Sequence, residues 1–188
     1  GLRVLELGTL IAGPFAGRIF ADFGAEVIKV ESPNAGDPIR KWRKMYKDTS
    51  LWWYVQARNK KSITLDLKKE QGKQIIQDLV KTTDIIIENF RPGKLEEWGI
   101  GYEDLKKINP RLIMIRISGY GQDGPYSKKP GFGSVGESLG GLRYLTGYPD
   151  RPPTRVGSSI GDSISSIYGV MGALLGIYNR DVLGTNEV

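Results

Sequence analysis

With 188 residues, 39% of them hydrophobic, the chain is long enough for one α/β domain or for part of a larger protein. It contains no cysteine and no histidine, which excludes disulfides, thiolate nucleophiles, Cys-based zinc sites, a Ser-His-Asp triad and histidine general-base catalysis within these residues. The net charge is +6, and the basic residues cluster at 40–47, 58–61 and 127–129, either as a solvated surface or as a binding surface for a ligand rich in phosphate.

The first part of the chain alternates patterns typical of strands and of helices. Residues 3–8 (RVLELG) predict a buried strand, and residues 26–31 (EVIKVE) predict a second strand by their alternation. Between them, residues 14–24 predict a helix, with proline at its start and glycine just past its end. Residues 32–46 are polar, basic and rich in turn-forming residues, which predicts a loop.

The middle of the chain repeats this alternation. Residues 62–67 (SITLDL) predict a strand, and residues 68–82 predict an amphipathic helix. Residues 84–90 (DIIIENF) form a continuous apolar run, which is typical of a strand covered on both faces in a parallel sheet. Short helices are predicted at residues 93–98 and 102–108.

The last third contributes one more strand and two helices. Residues 112–118 (LIMIRIS) predict a buried strand that leads into a turn-rich loop, residues 135–145 predict a helix, and residues 163–179 predict a long helix. Strands and helices that alternate at this spacing are typical of βαβ crossovers. We therefore predict an α/β fold with a doubly wound, mainly parallel Rossmann-like sheet and helices on both faces.

One glycine pattern is similar to a dinucleotide-binding motif. Residues 131–136 (GFGSVG) satisfy G-x-G-x-x-G, which binds dinucleotides when a strand comes immediately before it and an acidic residue follows about 20 positions later. The residues before it, SKKP at 127–130, do not predict a strand. We therefore predict no NAD site here.

Longer segments resemble the family III CoA-transferases, the CaiB/BaiF group. The segments are LELGTLIAGPFAGRIFADFGAEVIKVE at 5–31, GDPIRKW at 36–42, RNKKSITLDLK at 58–68, ENFRPGKLEEWGIGYEDLKKINPRLI at 88–113, SGYGQDGPYSKKPGFG at 118–133 and GDSISSIYGVMGALLGIYNR at 161–180. They cover essentially the whole chain in order. The resemblance implies that residues 1–188 are the N-terminal portion of a large CoA-binding domain, with the C-terminal part and the small domain absent.

Asp162 stands between two different stretches of sequence. Before it lies a run of small residues at 157–161, and after it comes an apolar repeat with helical spacing. The repeat consists of Ile164, Ile167, Tyr168, Met171, Leu174, Leu175 and Tyr178. From the residues alone, Asp162 is predicted to be the N-cap of the last helix, because aspartate is a preferred cap. The resemblance implies that Asp162 is the covalent nucleophile, which the helix dipole is expected to keep ionised.

The resemblance also implies contacts to coenzyme A at the ends of the strands. By position these contacts fall on Leu10, Ile11, Ala12, Leu65, Lys68, Asn89 and Phe90. Leu65 and Phe90 are also compatible with plain core positions, and Lys68 with an ordinary surface lysine. Two arginines that contact CoA in the oxalate-linked members are replaced here by Ser32 and Glu97. Phosphate binding is therefore expected to use other cations, namely Arg40, Lys60 and Lys61.

The resemblance implies an enzyme that moves coenzyme A between two carboxylic acids. Asp162 would attack the acyl-CoA donor and pass through aspartyl anhydride and aspartyl-CoA thioester intermediates, a route that needs no histidine. CoA is then a substrate, as acyl-CoA, and neither a tightly bound cofactor nor a metal is expected. Two alternatives are a non-catalytic CoA-binding fragment and a relative of the α-methylacyl-CoA racemases. Those racemases use a histidine in the segment matching PGFGSVGES, where this chain has Phe132.

The expected partners are an acyl-CoA, a small carboxylic acid and a second copy of the chain, because relatives are interlocked homodimers. No nucleic acid is expected, since the basic residues are interspersed with acidic ones. We expect no membrane partner, on the view that no apolar run approaches the ~20 residues needed to span a bilayer. A chain without cysteine fits a reducing compartment, and we expect a cytoplasmic protein, or one of the mitochondrial matrix if the source is eukaryotic.

Overall fold

A parallel sheet forms the centre of the protein, and the computed structural model describes residues 1–185 of the chain. The strands are β1 (Arg3–Glu6), β2 (Glu26–Glu31), β3 (Met45–Tyr46), β4 (Thr49–Ser50), β5 (Lys60–Thr64), β6 (Ile85–Glu88) and β7 (Ile113–Arg116). Five of them pair in parallel in the order β5-β2-β1-β6-β7, while β3 and β4 form a small antiparallel hairpin. The carboxyl ends of the five parallel strands therefore lie along one edge of the sheet.

Helices connect the strands and cover both faces of the sheet. They are α1 (Ala12–Asp22), α2 (Leu51–Gln56), α3 (Glu70–Val80), α4 (Lys94–Glu97), α5 (Tyr102–Ile108), α6 (Gly133–Leu139), α7 (Leu142–Leu145) and α8 (Ile160–Tyr178), followed by one π-helical turn, Asn179–Leu183. This arrangement confirms the predicted doubly wound α/β fold.

The sheet separates two hydrophobic cores, and β6 contributes to both. Ile85 and Ile87 pack with α1 and α8 on one face, whereas Ile86 packs with α3 and α5 on the other. All three side chains are fully buried, and burying an isoleucine contributes roughly 1.5–3 kcal/mol. The continuous apolar run at residues 84–90 thus has the double-sided burial that its composition predicts.

Several boundaries differ from the prediction because of local capping. The predicted loop at 32–46 contains a 3₁₀ helix, Pro38–Lys41, whose first turn is capped by the carboxylate of Asp37 accepting from the backbone N–H of Ile39. The helix α2 was not predicted; it follows Ser50, whose hydroxyl accepts from the N–H of Trp52 at 3.1 Å. The predicted helix at 135–145 is divided into α6 and α7, because Gly141 adopts a φ of +78°.

The apolar repeat that predicts α8 lies on the exposed side of that helix. Its seven residues, Ile164, Ile167, Tyr168, Met171, Leu174, Leu175 and Tyr178, are between 46% and 65% exposed. The buried positions of α8 are Ser166, Val170, Ala173 and Gly176. Small residues on that side allow α8 to lie close to α1 and β7; a Cβ atom at Gly169, for example, would lie 2.8 Å from Cγ2 of Ile115.

The last helical segment is long and apolar enough to cross a membrane by these two criteria alone. Ile160–Leu183 has 24 residues, and an 18-residue stretch within it has a mean hydropathy of 1.4 with 22% of that stretch buried in the structure. This corrects the prediction that no apolar run approaches spanning length, because the glycines and serines in the run do not interrupt its hydropathy. A core helix of a globular protein meets the same criteria, so one such helix is weak evidence for a membrane span.

Candidate active site

The turn after β1 is held by a side chain from the neighbouring strand. Asn89, which follows β6, accepts a hydrogen bond from the N–H of Thr9 and donates one to its carbonyl oxygen, both at 2.8 Å. The backbone at Gly8 and Gly13 approaches Asn89 so closely that a Cβ atom at Gly8 would lie 2.8 Å from Asn89 Oδ1. Asn89 therefore positions the turn that carries Leu10, and its amide is already engaged.

A buried ion network holds the other side of this turn. Leu10 has a φ of +63°, a left-handed conformation that costs energy for a residue with a side chain. Its N–H donates to Asp37 Oδ1 at 3.1 Å, and Asp37 Oδ2 pairs with Lys29 Nζ at 2.8 Å. Lys29 also contacts Glu6 Oε1 and the carbonyl oxygen of Gly8, each at 2.9 Å. Against the penalty of burial, the charges of Glu6 and Asp37 raise the pKa of Lys29.

Two of the cations predicted to bind phosphate, Lys60 and Lys61, are engaged in ion pairs and are not available at the carboxyl ends of the strands. Lys60 is buried, with Nζ 2.6 Å from Glu6 Oε2 and 2.7 Å from the carbonyl oxygen of Pro14, and burial lowers the pKa of its ammonium group. Lys61 is exposed but pairs at 2.6 Å with Glu26, the first residue of β2, at the amino end of the sheet. This geometry argues against both predictions.

Arg40 and Lys68 lie toward the carboxyl ends of the strands. Arg40 donates two hydrogen bonds to Glu31, the last residue of β2, at 2.7 and 2.8 Å, and its guanidinium lies 3.5 Å from the ring centroid of Trp53. Two of its five N–H donors are therefore committed to Glu31. Lys68 follows β5 and its side chain is exposed. Lys68 is the predicted cation that has the most freedom to meet a phosphate.

Leu65 and Phe90 are part of the packing beneath the site. Both are partly buried and contact the core between the sheet and α3. Phe90 packs edge-to-face against Trp98, with ring centroids 5.3 Å apart, and its N–H donates to Glu88 at 2.7 Å. Their positions agree with the core role that the sequence left open; a contact of either residue with CoA stays a prediction.

Asp162 lies in the first turn of α8 and is not its N-cap. The helix begins at Ile160 with Ser159 as the cap residue, three residues earlier than predicted. Asp162 is half-buried, and a Cβ atom at Gly133 would lie 2.9 Å from its Oδ2. Burial raises the pKa of Asp162, while the charge of Arg155 and a hydrogen bond from its own backbone N–H lower it. The net direction is upward, contrary to the expectation that the helix terminus favours the ionised form.

Ser166 connects the turn of Asp162 to the start of α1. Its hydroxyl is fully buried and lies 2.7 Å from the carbonyl oxygen of Ala12 and 2.6 Å from that of Asp162. A hydroxyl carries one proton, so it donates to these two oxygens in alternation or as a bifurcated bond. This connection joins the first turn of α8, which carries Asp162, to the start of α1 at Ala12. The sequence predicts α8 but gives no signal for Ser166, which is one serine among several.

A cluster of charged side chains that the sequence does not reveal is centred on Glu137 in α6. The side chain of Glu137 in α6 is 1% exposed, and its charge is a further cause that raises the pKa of Asp162. Arg143 Nε and Arg155 Nε lie 3.8 and 3.9 Å from Glu137 Oε2. These residues come from α6, α7 and the loop before α8, so only the tertiary fold brings them together.

The arrangement supplies a half-buried carboxylate that lies against the first residue of α6. Gly133 carries no side chain, and the carboxylate of Asp162 occupies the space that a side chain there would need. Within residues 1–185, no group of three or more aspartate, glutamate, histidine or cysteine side chains is positioned to hold a metal ion. Such a carboxylate is suited to nucleophilic attack on an acyl group.

A family model and several relatives match the whole chain. The family model described as CoA-transferase family III matches residues 1–188. A succinyl-CoA–D-citramalate CoA-transferase of Chloroflexus aurantiacus is 57% identical over all of this chain and 47% of that protein. The alpha subunit of a succinyl-CoA–L-malate CoA-transferase from the same organism is 42% identical over all of this chain and 45% of that protein. A mouse succinyl-CoA:glutarate CoA-transferase is 40% identical over 96% of this chain and 42% of that protein.

Solved structures give the same picture of the fold. A CaiB/BaiF family protein from Brucella suis is 38% identical with a TM-score of 0.87, over 96% of this chain and 49% of that one. A hypothetical protein from Mycobacterium tuberculosis is 35% identical with a TM-score of 0.90, over 99% of this chain and 52% of that one. The chain thus spans about half the length of the relatives it matches.

Proposed function

Because the chain belongs to the CoA-transferase family III, we propose that the protein containing it transfers coenzyme A from an acyl-CoA to the carboxylate of a second acid, with Asp162 as the covalent nucleophile. One observation carries the proposal. The carboxylate of Asp162 lies half-buried beside Gly133, and Ser166 joins its turn to Ala12. Residues 1–188 are proposed to be the N-terminal portion of the large CoA-binding domain.

The names of the relatives suggest a donor. Three relatives are named for succinyl-CoA together with citramalate, malate or glutarate. The proposed donor is therefore succinyl-CoA or the CoA thioester of another dicarboxylic acid. The proposed acceptor is a small carboxylic acid.

The proposed reaction divides the transfer into steps that need no proton. An oxygen of Asp162 attacks the thioester carbonyl carbon, the C–S bond breaks, and a mixed anhydride and CoA thiolate result. The thiolate attacks the Asp162 carbonyl carbon, which releases the donor acid and leaves an aspartyl-CoA thioester. The acceptor carboxylate attacks that thioester and releases the thiolate again, with a second anhydride formed. Attack of the thiolate on the acceptor acyl carbon gives the new acyl-CoA and restores the Asp162 carboxylate.

Coenzyme A is proposed to bind as a substrate along the carboxyl ends of the strands. The turn at Leu10, Ile11 and Ala12 offers backbone groups at the start of α1, where N–H groups and the helix dipole favour an anion. Lys68 supplies a free cation beside this edge, and Arg40 a partly committed one. No tightly bound cofactor is required, since every step uses Asp162, the two acids and CoA.

The complete protein is proposed to form a homodimer. The exposed apolar side of α8, which includes Ile167, Leu174 and Leu175, supports this proposal because such a surface is stabilised by removal from water. Light scattering of the full-length protein at several concentrations tests it. A monomer throughout would contradict it.

Substitution of Asp162 tests the proposed chemistry against simple CoA binding. In the full-length protein, Asp162→Asn keeps the shape of the side chain but is unable to form an anhydride. We expect this variant to bind CoA in titration calorimetry and to transfer none of it from succinyl-CoA to a panel of acids. Asp150→Asn, which changes an exposed aspartate in the loop before α8, is the matched control and should retain transfer. If Asp162→Asn transfers CoA at a near-normal rate, or if the unsubstituted protein only binds CoA, the proposal is wrong.

A further inference from the structure

Three charged side chains near Asp162 have no part in the proposed steps. Glu137 is almost completely buried, yet within residues 1–185 neither of its carboxylate oxygens accepts a hydrogen bond. Arg143 and Arg155 each approach one of these oxygens at 3.8–3.9 Å, which is within ion-pair distance and beyond hydrogen-bond distance. Glu137 therefore attracts the two guanidinium groups by charge, and neither of its oxygens holds them by a hydrogen bond.

Arg155 combines closeness to Asp162 with an open guanidinium. Its side chain is 47% exposed, compared with 30% for Arg143. Arg155 lies 3.9 Å from Glu137, which is one helical turn after Gly133 in α6, and Gly133 lies against Oδ2 of Asp162. The positive charge of Arg155 opposes the rise in the pKa of Asp162 that burial causes. The loop that carries Arg155 is tied back on itself, because Thr154 donates through its hydroxyl to the carbonyl oxygen of Thr146 at 3.2 Å. Arg155 is therefore a cation held beside the proposed nucleophile and open to a ligand.

We infer that Arg155 binds the free carboxylate of a dicarboxylic acyl group whose other carboxyl carbon reacts at Asp162. This inference rests on the proposed function and identifies the residue that selects its substrates. A guanidinium binds a carboxylate with two parallel N–H···O bonds, which gives both attraction and a fixed direction. Glu137 is a positioning residue in this account, since it holds Arg155 beside the reacting carboxylate.

The net charge around Asp162 becomes more positive during the reaction, which favours binding of a carboxylate by Arg155. Before reaction, the carboxylates of Asp162 and Glu137 oppose the guanidinium groups of Arg143 and Arg155, so the cluster is neutral. When Asp162 becomes part of the mixed anhydride it loses its negative charge, and one positive charge is left over while the donor acyl group is still attached. A carboxylate on the acyl group restores neutrality in a partly buried site, whereas an alkyl group of the same length does not. The cluster therefore favours acyl groups that carry a second carboxylate.

A pair of donors that differ only in that carboxylate tests the inference. Succinyl-CoA and butyryl-CoA have acyl chains of equal length. The measurement is the rate at which the full-length protein forms the aspartyl-CoA thioester from each donor without an acceptor, followed by intact-protein mass spectrometry. We expect the unsubstituted protein to prefer succinyl-CoA by roughly 10- to 100-fold, the range that hydrogen bonds to a charged group give. Arg155→Gln should slow the reaction of succinyl-CoA and leave that of butyryl-CoA almost unchanged.

Two further variants separate this role from a structural one. Arg151→Gln removes an exposed arginine from the same loop and should keep the preference. Arg155→Lys keeps the charge but not the paired donors, and should give an intermediate preference. If Arg155→Gln reacts with both donors and keeps the preference of the unsubstituted protein, or slows both donors equally, the inference is overturned while the proposed function stands. If the unsubstituted protein forms no thioester from either donor, both are overturned.

Discussion

Gly133 and Asp162 approach each other so closely that a Cβ atom at position 133 would lie 2.9 Å from Oδ2 of Asp162. Gly133 is the first residue of α6, and Asp162 is in the first turn of α8. A Cβ atom at Gly161 would in turn lie 3.3 Å from the carbonyl oxygen of Gly133. The starts of the two helices therefore meet through glycines, and the carboxylate occupies the space that a side chain would need.

Gly133→Ala is expected to reduce CoA transfer while leaving the fold intact. The added methyl group meets the end of a side chain, which is able to turn away, so the cost to stability is small. The displaced carboxylate no longer points toward the thioester carbon that it attacks. Misplacement of a reacting group by about 1 Å lowers the rate by up to ~10²-fold. Steady-state kinetics with succinyl-CoA measures the effect.

The matched control lies in the same helix. Gly136→Ala introduces the same methyl group where nothing lies within 4 Å of the new Cβ atom, and it should retain the normal rate. Equal losses in the two variants would show that α6 as a whole, and not the contact with Asp162, limits the reaction.

Ser166→Ala is expected to loosen the connection between α8 and the turn before α1. The substitution leaves the carbonyl oxygen of Ala12 without its buried hydroxyl donor, and a loss of this kind costs about 1–3 kcal/mol. The free energy of unfolding in urea should fall by that amount. Ser165→Ala is the control, because the hydroxyl of Ser165 donates within α8 to Gly161 on the exposed side, and a similar loss there would contradict the assignment.

Lys29→Met should be strongly destabilising because it leaves two buried carboxylates without their shared cation. Lys29 Nζ lies 2.9 Å from Glu6 and 2.8 Å from Asp37, and all three side chains are at most 1% exposed. Removal of one partner from a buried ion pair costs about 3–5 kcal/mol. Lys61→Met, which removes an exposed ion pair with Glu26, should change the unfolding midpoint far less; equal effects would contradict the account of the network.

The pH dependence of transfer should report the charges around Asp162. Asp162 reacts as a carboxylate, so kcat is constant above its pKa in the enzyme–substrate complex and falls as the pH decreases through it. Glu137 raises the pKa of Asp162 and Arg155 lowers it, in addition to the larger upward effect of burial. Glu137→Gln should therefore move the acid limb of the profile to lower pH, and Arg155→Gln should move it to higher pH. If the acid limb of the pH profile stays at the same pH in both variants, it does not report the ionisation of Asp162, and the account is contradicted.

The sequence predicts the sheet and its helices because their signals are local. The apolar run that contains Ile85, Ile86 and Ile87 indicates a strand buried on both faces, and the structure confirms it. The motifs that resemble the CoA-transferases are also contiguous, and the match over residues 1–188 confirms that resemblance. The helix boundaries are predicted less accurately, because Ser159 and not Asp162 is the cap residue of the last helix.

The surroundings of each site residue depend on tertiary contacts that no local pattern contains. Lys60 belongs to a basic cluster in the sequence, but its side chain turns inward to Glu6 and is buried. Glu137, Arg143 and Arg155 are separated along the chain and meet only when α6, α7 and α8 pack. The upward shift in the pKa of Asp162 has the same origin, since burial is a property of the fold.

The central claim is that Asp162 forms a covalent bond to the acyl group or to CoA during transfer. The most direct measurement incubates the full-length protein with succinyl-CoA, traps the activated carboxyl with hydroxylamine and identifies the modified peptide by mass spectrometry. The account predicts one hydroxamate, located on Asp162, which requires the acyl-CoA and is absent from Asp162→Asn. Transfer of CoA without modification of Asp162, or with a hydroxamate on another carboxylate, would contradict it.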